Sequence, residues 1–170
     1  MNKALHLPLF CILGDTNHSI INHIVIMQKT KILFLCTGNS CRSQMAEGWA
    51  RFLKNDIIEP YSAGTEIHGM NPHAVSVMKE AGVDITSQHS KNVDEVMSID
   101  FDVVITVCDS ARENCPFFPG KAKRIHAGFD DPPRLAQSID DPEKKLDCYR
   151  KVRDEIRDFV AQLQDVLQTV

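Results

Sequence analysis

The sequence predicts an α/β fold with a parallel sheet covered by helices on both faces, and three observations carry that reading. Two short apolar runs, Lys31–Leu35 and Phe101–Val107, suit strands buried on both sides. Other segments repeat apolar residues at helical spacing. From Thr30 onward the two kinds alternate, as they do when crossover helices join parallel strands.

The first thirty residues show no clean periodicity and carry scattered His and Asn. Residues 1–29 are therefore read as a poorly ordered extension, with Met27 a candidate start, and residues 30–170 as one catalytic α/β domain. Lys31–Leu35 is the first strand, and the helix after it places Met45, Trp49, Phe52 and Leu53 on one face. Asn71 then Pro72 reads as an N-cap and first helical residue. Ala74, Val77, Met78 and Ala81 form the stripe of that second helix, and Gly82 closes it. Phe101–Val107 is a β-branched central-strand candidate. A last helix carries Tyr149, Val152, Ile156, Phe159, Leu163 and Val166 along one side. No internal repeat or low-complexity tract occurs.

A chain of 170 residues, 43% hydrophobic and 25% charged, is in the range of one soluble domain. Its net charge of −4 gives no general attraction to nucleic acid or an anionic membrane, so any anion site must be local and built by geometry. There is no run of 18 apolar residues, and Ala4–Leu13 is interrupted by His6 and Pro8 without a small-residue cleavage signal. A cytoplasmic monomer with no nucleic-acid or membrane partner is expected. In that reducing compartment six cysteines are not a disulfide framework. The spacings Cys36 to Cys41 and Cys108 to Cys115 do not give paired zinc knuckles, so no metal is expected.

Ligands of open parallel sheets bind beyond the carboxyl ends of the strands, which directs attention to the segment from Cys36 to Ser43. Backbone N–H groups of Thr37, Gly38, Asn39, Ser40, Cys41 and Arg42, with those opening the next helix, can form a nest for a four-oxygen anion. Gly38 permits the close turn. Arg42 offers a planar fork that grips two oxygens at once. Helix dipole and guanidinium together are expected to lower the Cys36 thiol, and Ser43 to donate a further hydrogen bond to it. A bare Cys-x5-Arg is weak, since about 0.3 chance matches are expected in this composition. The preceding buried strand, the Gly and Asn within, the Ser after Arg and the helix behind set it apart from an ordinary buried cysteine. Cys41 is taken as a bystander.

The segments CTGNSCRSQMAEGW, YSAG, HGMNP, VCDSARENCP and GFDDP together resemble the thioredoxin-coupled arsenate reductases built on the low-molecular-weight tyrosine phosphatase fold. The likeness spans about residues 30–160, leaving out the N-terminal extension and the inserted-looking Gln137–Lys145 stretch. It implies a three-layer α/β/α domain with a central four-stranded parallel sheet. It also implies Cys36 as nucleophile, Arg42 as oxyanion ligand and Asp131 as the general acid that protonates the leaving oxygen. Asp130 is expected only to cap or shape the turn, and Asp and Pro commonly make such turns without any chemistry.

Cys108 and Cys115 distinguish the two chemistries of this fold, because a reductase must supply two electrons and an ester phosphatase need not. The resemblance implies a relay. Cys36 attacks arsenate, Cys108 attacks the arsenylated sulfur and releases arsenite, and Cys115 resolves the bond into Cys108–Cys115, which thioredoxin reduces. Were the intervening segment helical, its ends would lie about 10.5 Å apart, beyond the roughly 7 Å reach of a disulfide, so it must unwind. Asn114 and Pro116 suit such a loop, and Phe117–Gly120 is expected to anchor it by packing.

In one branch of the family an Asn, a Glu, a Ser and an Asp bind potassium beside the loop. Asn39, Glu47 and Ser62 match three of them, while Lys91 falls at the fourth, so an ammonium is expected in place of the ion. His68, His73, His89 and His126 are read as surface or hydrogen-bonded residues rather than ligands, and spacing suggests no partner for Cys11 or Cys148. No bound cofactor is expected; arsenate and thioredoxin are the expected partners, glutaredoxin with glutathione being the lesser donor. Two other readings stay open: a low-molecular-weight tyrosine phosphatase, in which aromatic residues normally follow the Asp-Pro where Pro133 and Arg134 stand here, and a non-catalytic thiol sensor of oxyanions or redox state.

Overall fold

A computed structural model describes residues 28–113, 115 and 121–168. The expectations for residues 1–27, Cys11, Asn114 and the segment 116–120 lie outside the described residues. The chain runs β1 (Thr30–Cys36), α1 (Arg42–Lys54), β2 (Ile58–Gly64), α2 (Pro72–Glu80), a 3-10 turn (Val93–Val96), β3 (Val103–Thr106), α3 (Asp109–Glu113), β4 (Lys123–His126), α4 (Pro132–Ala136), α5 (Pro142–Ala161) and α6 (Leu163–Gln168). The four strands form one parallel sheet in the order β2-β1-β3-β4. Going from β1 to β2 the chain steps one way along the sheet, and from β3 to β4 the other. Right-handed crossovers then put α1 and α3 on opposite faces, which gives the three layers.

The two central strands are those whose apolar runs were legible. Ile32, Leu33, Phe34 and Leu35 of β1 and Val104 and Ile105 of β3 are wholly buried, as both faces of a covered parallel sheet require. The edge strands lack that signature. β2 contains Pro60, tolerated because an edge strand leaves one side of its backbone unpaired, and β4 reads Lys-Arg-Ile-His with only Ile125 half-buried among exposed neighbours.

The helices follow their stripes with two corrections. In α1 Met45 and Trp49 are buried with Ala46 and Ala50, but Phe52 and Leu53 are 59% and 37% exposed. Their angular position matches the stripe, yet the last turn overhangs the packed body, where Arg51 is exposed as well. The expected last helix is two, because the chain breaks at Gln162 between α5 and α6. Tyr149, Val152, Ile156 and Leu163 are buried as the spacing predicts, joined by Val160, while Phe159 and Val166 are half-buried. α2 begins as expected: Asn71 Oδ1 accepts from His73 N (2.9 Å) and Ala74 N (3.1 Å), and Gly82 follows with φ +78°. The stretch 137–145 is the connection between α4 and α5 together with the first turn of α5, capped by Asp141.

Candidate active site

The strand order reverses between β1 and β3, and the crevice beyond their carboxyl ends is where such folds place ligands. β1 ends at Cys36, and Cys108 follows β3 by two residues, with Val107 N donating to Leu35 O (2.9 Å) to hold the two ends side by side. Between Cys36 and Arg42 the chain forms a loop that opens into α1, whose flanking residue Cys41 makes no side-chain cap. The first N–H groups of α1 are thereby left to an anion. A cavity of about 300 Å³ lies there, walled by Cys36, Thr37, Ser40 and Arg42 on the loop side and by His68 and Asp131 opposite.

Hydrogen bonds converge on the sulfur of Cys36. Asn39 N donates to it at 3.1 Å, and Ser43 Oγ lies 2.8 Å away. Because Asn39 Nδ2 donates to Ser43 Oγ (2.9 Å), the serine hydrogen is free to point at the sulfur. Gly38, Thr37, Ser40, Cys41 and Arg42 also border the cavity, but Asn39 does not: it is fully buried beneath the loop. The left-handed residue of the turn is likewise Asn39 (φ +44°) rather than Gly38. A Cβ at Gly38 would lie 2.4 Å from His68 Nδ1, so a side chain there would have to push the half-exposed His68 ring aside.

The expected lowering of the Cys36 thiol is not what this arrangement gives. Burial pushes it up, and the Ser43 hydroxyl, with the amides of Asn39 and Ser43, offsets only part of that. The Arg42 fork is engaged elsewhere: Nη2 pairs with Asp131 Oδ1 at 2.9 Å and Nη1 donates to Phe129 O at 3.0 Å. Cys41 is also pushed up by burial, in keeping with a bystander.

Asp131 faces the cavity and is itself the N-cap of α4, accepting from Arg134 N at 3.3 Å. The capping expected of Asp130 thus falls to Asp131, and Asp130 pairs with Lys151 at the surface (3.1 Å). Cys108 is buried, its sulfur 3.5 Å from Thr37 Oγ1, and it opens α3, donation from Arg112 N to Cys108 O (3.1 Å) starting the helix. Cys115 lies beyond α3, half-buried, its thiol pushed up by burial against the pull of Arg124. Cys36, Cys108 and Cys115 are all in the reduced, thiol form.

The four residues singled out beside the loop come together. Asn39 Nδ2 donates to Ser62 Oγ (3.0 Å), Ser62 Oγ to Glu47 Oε2 (2.5 Å), and Lys91 Nζ stands 3.9 Å from that carboxylate oxygen while its backbone N donates to Asn39 Oδ1 (2.8 Å). Glu47 is buried and also pairs with Arg51 at 2.7 Å. Among the described residues no group of three or more His, Cys, Asp or Glu side chains is placed to hold a metal.

Three polar residues at or near the site carried no sequence signal of their own. His68 sits over Gly38 on the cavity rim and bonds Glu66 (2.7 Å). His126 bridges Thr106 Oγ1 (2.9 Å) and Asp109 Oδ1 (3.3 Å) at the start of α3. Gln44 is wholly buried behind the loop. The first and last lie inside the segments HGMNP and CTGNSCRSQMAEGW, yet nothing in those segments assigned them a role.

Gly64, at the end of β2, abuts the back of the loop. A Cβ on it would lie 2.4 Å from Thr37 O, 2.6 Å from Glu66 O and 2.7 Å from Asn39 N, all backbone atoms that cannot swing aside. Gly64→Ala is expected to cost about 1–3 kcal/mol of stability. By displacing the Asn39 amide from the sulfur, it is also expected to lower activity by about 10²-fold. Urea denaturation and steady-state rates check both; a variant that keeps wild-type rates would show that the loop tolerates the shift.

The fold and loop have known counterparts. The family model for low molecular weight phosphotyrosine protein phosphatase matches residues 31–170. An arsenate reductase of Bacillus subtilis is 51% identical over 130 residues, 76% of this chain and 91% of the relative. A solved arsenate reductase in its oxidized state superposes with a TM-score of 0.66 at 30% identity, covering 79% of this chain and 95% of that one. The low molecular weight protein tyrosine phosphatase from T. tengcongensis does so with 0.62 at 27% identity, covering 81% and 99%. By its family match and its half-identical relatives, the chain belongs to the arsenate reductases of the low molecular weight phosphotyrosine protein phosphatase family.

Proposed function

We propose that this chain reduces arsenate to arsenite through a relay of Cys36, Cys108 and Cys115, with thioredoxin as external electron donor. Arsenate enters the cavity and competes with Asp131 for the Arg42 fork. Cys36 gives up its proton to the Asp131 carboxylate that arsenate has displaced from Arg42 and attacks arsenic; the As–O bond breaks, and the departing oxygen takes that proton from Asp131 and leaves as water. Cys108 then attacks the Cys36 sulfur. The S–As bond breaks, its electron pair stays on arsenic, which falls from the +5 to the +3 state, and a Cys36–Cys108 disulfide forms. Cys115 displaces Cys36, and thioredoxin reduces the resulting Cys108–Cys115 bond.

The observation that favours this over ester hydrolysis is a further buried thiol outside the loop, Cys108, just past the end of the neighbouring strand and in contact with Thr37 of the loop. A phosphatase has no use for it. Pro133, rather than an aromatic residue, stands at the cavity wall after the Asp-Pro, so phosphatase action on aryl esters is a weak side activity. The α3 helix must open for Cys108 to reach Cys115, which makes oxidation a local conformational switch. No helix among the described residues is long and apolar enough to cross a membrane. A thiol relay recycled by thioredoxin needs a reducing compartment, which supports a cytoplasmic protein. The test is a coupled assay with arsenate, thioredoxin, thioredoxin reductase and NADPH, run beside an arm with glutaredoxin and glutathione and an arm with p-nitrophenyl phosphate. Arsenite production dependent on thioredoxin is expected. Fast ester hydrolysis without arsenite would favour the phosphatase, and no turnover in any arm would favour a sensor.

Lys91 supplies the charge that potassium supplies in another branch of the family. Its ammonium stands 3.9 Å from the buried Glu47 carboxylate and adds, to the Arg51 guanidinium that pairs with it at 2.7 Å, the further positive charge that a bound cation would supply. Rates in potassium and sodium chloride at equal ionic strength are expected to agree. In Lys91→Ala activity is expected to fall about tenfold and to recover partly with added potassium. Stimulation of the unaltered protein by potassium would refute the assignment.

A further inference from the structure

Gln44 is a wholly buried polar side chain in the first turn of α1, two residues past Arg42. Its amide nitrogen lies 3.0 Å from Asn39 O, 2.9 Å from Asn39 Oδ1 and 3.0 Å from His89 O, so its two hydrogens are shared among three acceptors. Its amide oxygen accepts from Gln88 Nε2 at 2.7 Å. One side chain thus ties α1 to the loop and to the strip 88–91. That strip adds two further bonds to the loop, Lys91 N to Asn39 Oδ1 (2.8 Å) and Ser90 Oγ to Gly38 O (2.9 Å).

Left-handed backbone at a residue other than glycine persists only where its surroundings over-determine it. Asn39 is that residue here, and Gln44 holds both of its oxygens. The consequence reaches the sulfur twice. Asn39 N–H points at Cys36 Sγ, and Asn39 Nδ2 orients the Ser43 hydroxyl that also meets it. Two of the three groups that hydrogen-bond the nucleophile, the Ser43 amide being the third, therefore depend on the conformation of one residue.

We propose that Gln44 is a positioning residue for the nucleophile: by fixing the carbonyl and amide oxygens of Asn39 it aims the Asn39 N–H and the Ser43 hydroxyl at Cys36 Sγ. This rests on the reading of Cys36 as the attacking group, and its test is made on the sulfur itself. The titratable groups facing Cys36 are Cys41, Cys108, Arg42, His68 and Asp131, none of which a substitution at position 44 alters.

The full chain carrying Gln44→Met, which keeps the volume and loses the donors, is compared with the unaltered protein. The rate of Cys36 alkylation by iodoacetamide is followed against pH, with the site read by peptide mass spectrometry. The profile is expected to move to higher pH, leaving about tenfold less reactive thiolate at neutral pH, and kcat/KM for arsenate to fall about tenfold. Reduction of the Cys108–Cys115 disulfide by thioredoxin is expected to keep its rate. Gln88→Met, which removes the bond on the far side of Gln44, is expected to lower thermal stability without moving the Cys36 profile. Should Gln44→Met fail to fold, Gln44→Leu, which also lacks the donors and adds no charge, takes its place; the same displacement is expected. An unmoved Cys36 profile in the variant that folds, or an equal displacement in Gln88→Met, would overturn the proposal. A displaced profile in a protein that never reduces arsenate would leave it standing and reject the reductase reading instead.

Discussion

Cys36→Ser is expected to lose at least about 10⁴-fold in arsenate turnover, because a serine hydroxyl is not ionised to a useful extent and burial keeps the proton on Cys41, the other thiol bordering the cavity. The substitution is nearly isosteric, and Asn39 N and Ser43 Oγ still find a partner in the new oxygen, so melting is expected to change little near neutral pH. At higher pH the two proteins diverge. The folded state holds the Cys36 proton more tightly than the unfolded chain, whose thiol has the ordinary value of 9.0. That contribution to stability is whole below about pH 9 and is lost as pH rises through the higher folded value. The wild-type protein should therefore lose stability relative to Cys36→Ser in the alkaline range. Thioredoxin-coupled NADPH oxidation and melting curves across pH measure the two effects. Residual turnover near the wild-type rate would remove Cys36 from the reaction.

The second large effect separates the steps of the relay. Cys115→Ser is expected to release about one arsenite per protein molecule and then stop as a Cys36–Cys108 disulfide, since no thiol remains to displace Cys36. Cys108→Ser is expected to release none, because the S–As bond has no attacking sulfur beside it. Steady-state rates in both should fall at least about 10³-fold. Arsenite counted after a single addition of arsenate, with disulfides mapped by mass spectrometry, distinguishes the two arrests. Sustained turnover in either variant would break the proposed order. The structure adds a condition to the final step. Cys115 is separated from Cys108 by α3, so trapping the disulfide must abolish the helical signature of 109–113, which hydrogen exchange can follow.

Elements were legible in this chain where burial alone decides residue type. β1 and β3 read as continuous apolar runs because both their faces are covered, and α2 read correctly because Asn71, Pro72 and Gly82 mark its ends by local chemistry. The edge strands were not legible, since β2 tolerates Pro60 and β4 is polar: an edge has solvent where a central strand has a neighbour. The overhanging turn of α1 and the break at Gln162 likewise depend on where the neighbouring layers end, which periodicity does not encode.

By itself the sequence determined the layered α/β class, the loop from Cys36 to Arg42 after a buried strand, and the set of cysteines with Asp131 and Lys91 that merit attention. The class and the loop follow from interactions among residues close in the chain, while the roles of Cys108, Cys115, Asp131 and Lys91 are what the family resemblance implies. Only the tertiary structure decided that Asn39 rather than Gly38 bends the loop and that Asp131 occupies the Arg42 fork. It also decided that burial raises the Cys36 thiol and that Gln44 and the strip 88–91 brace the site from behind. Hydrogen-bond direction, desolvation and steric contact are set by groups far apart in sequence, and they acquire values only when the sheet order brings those groups together.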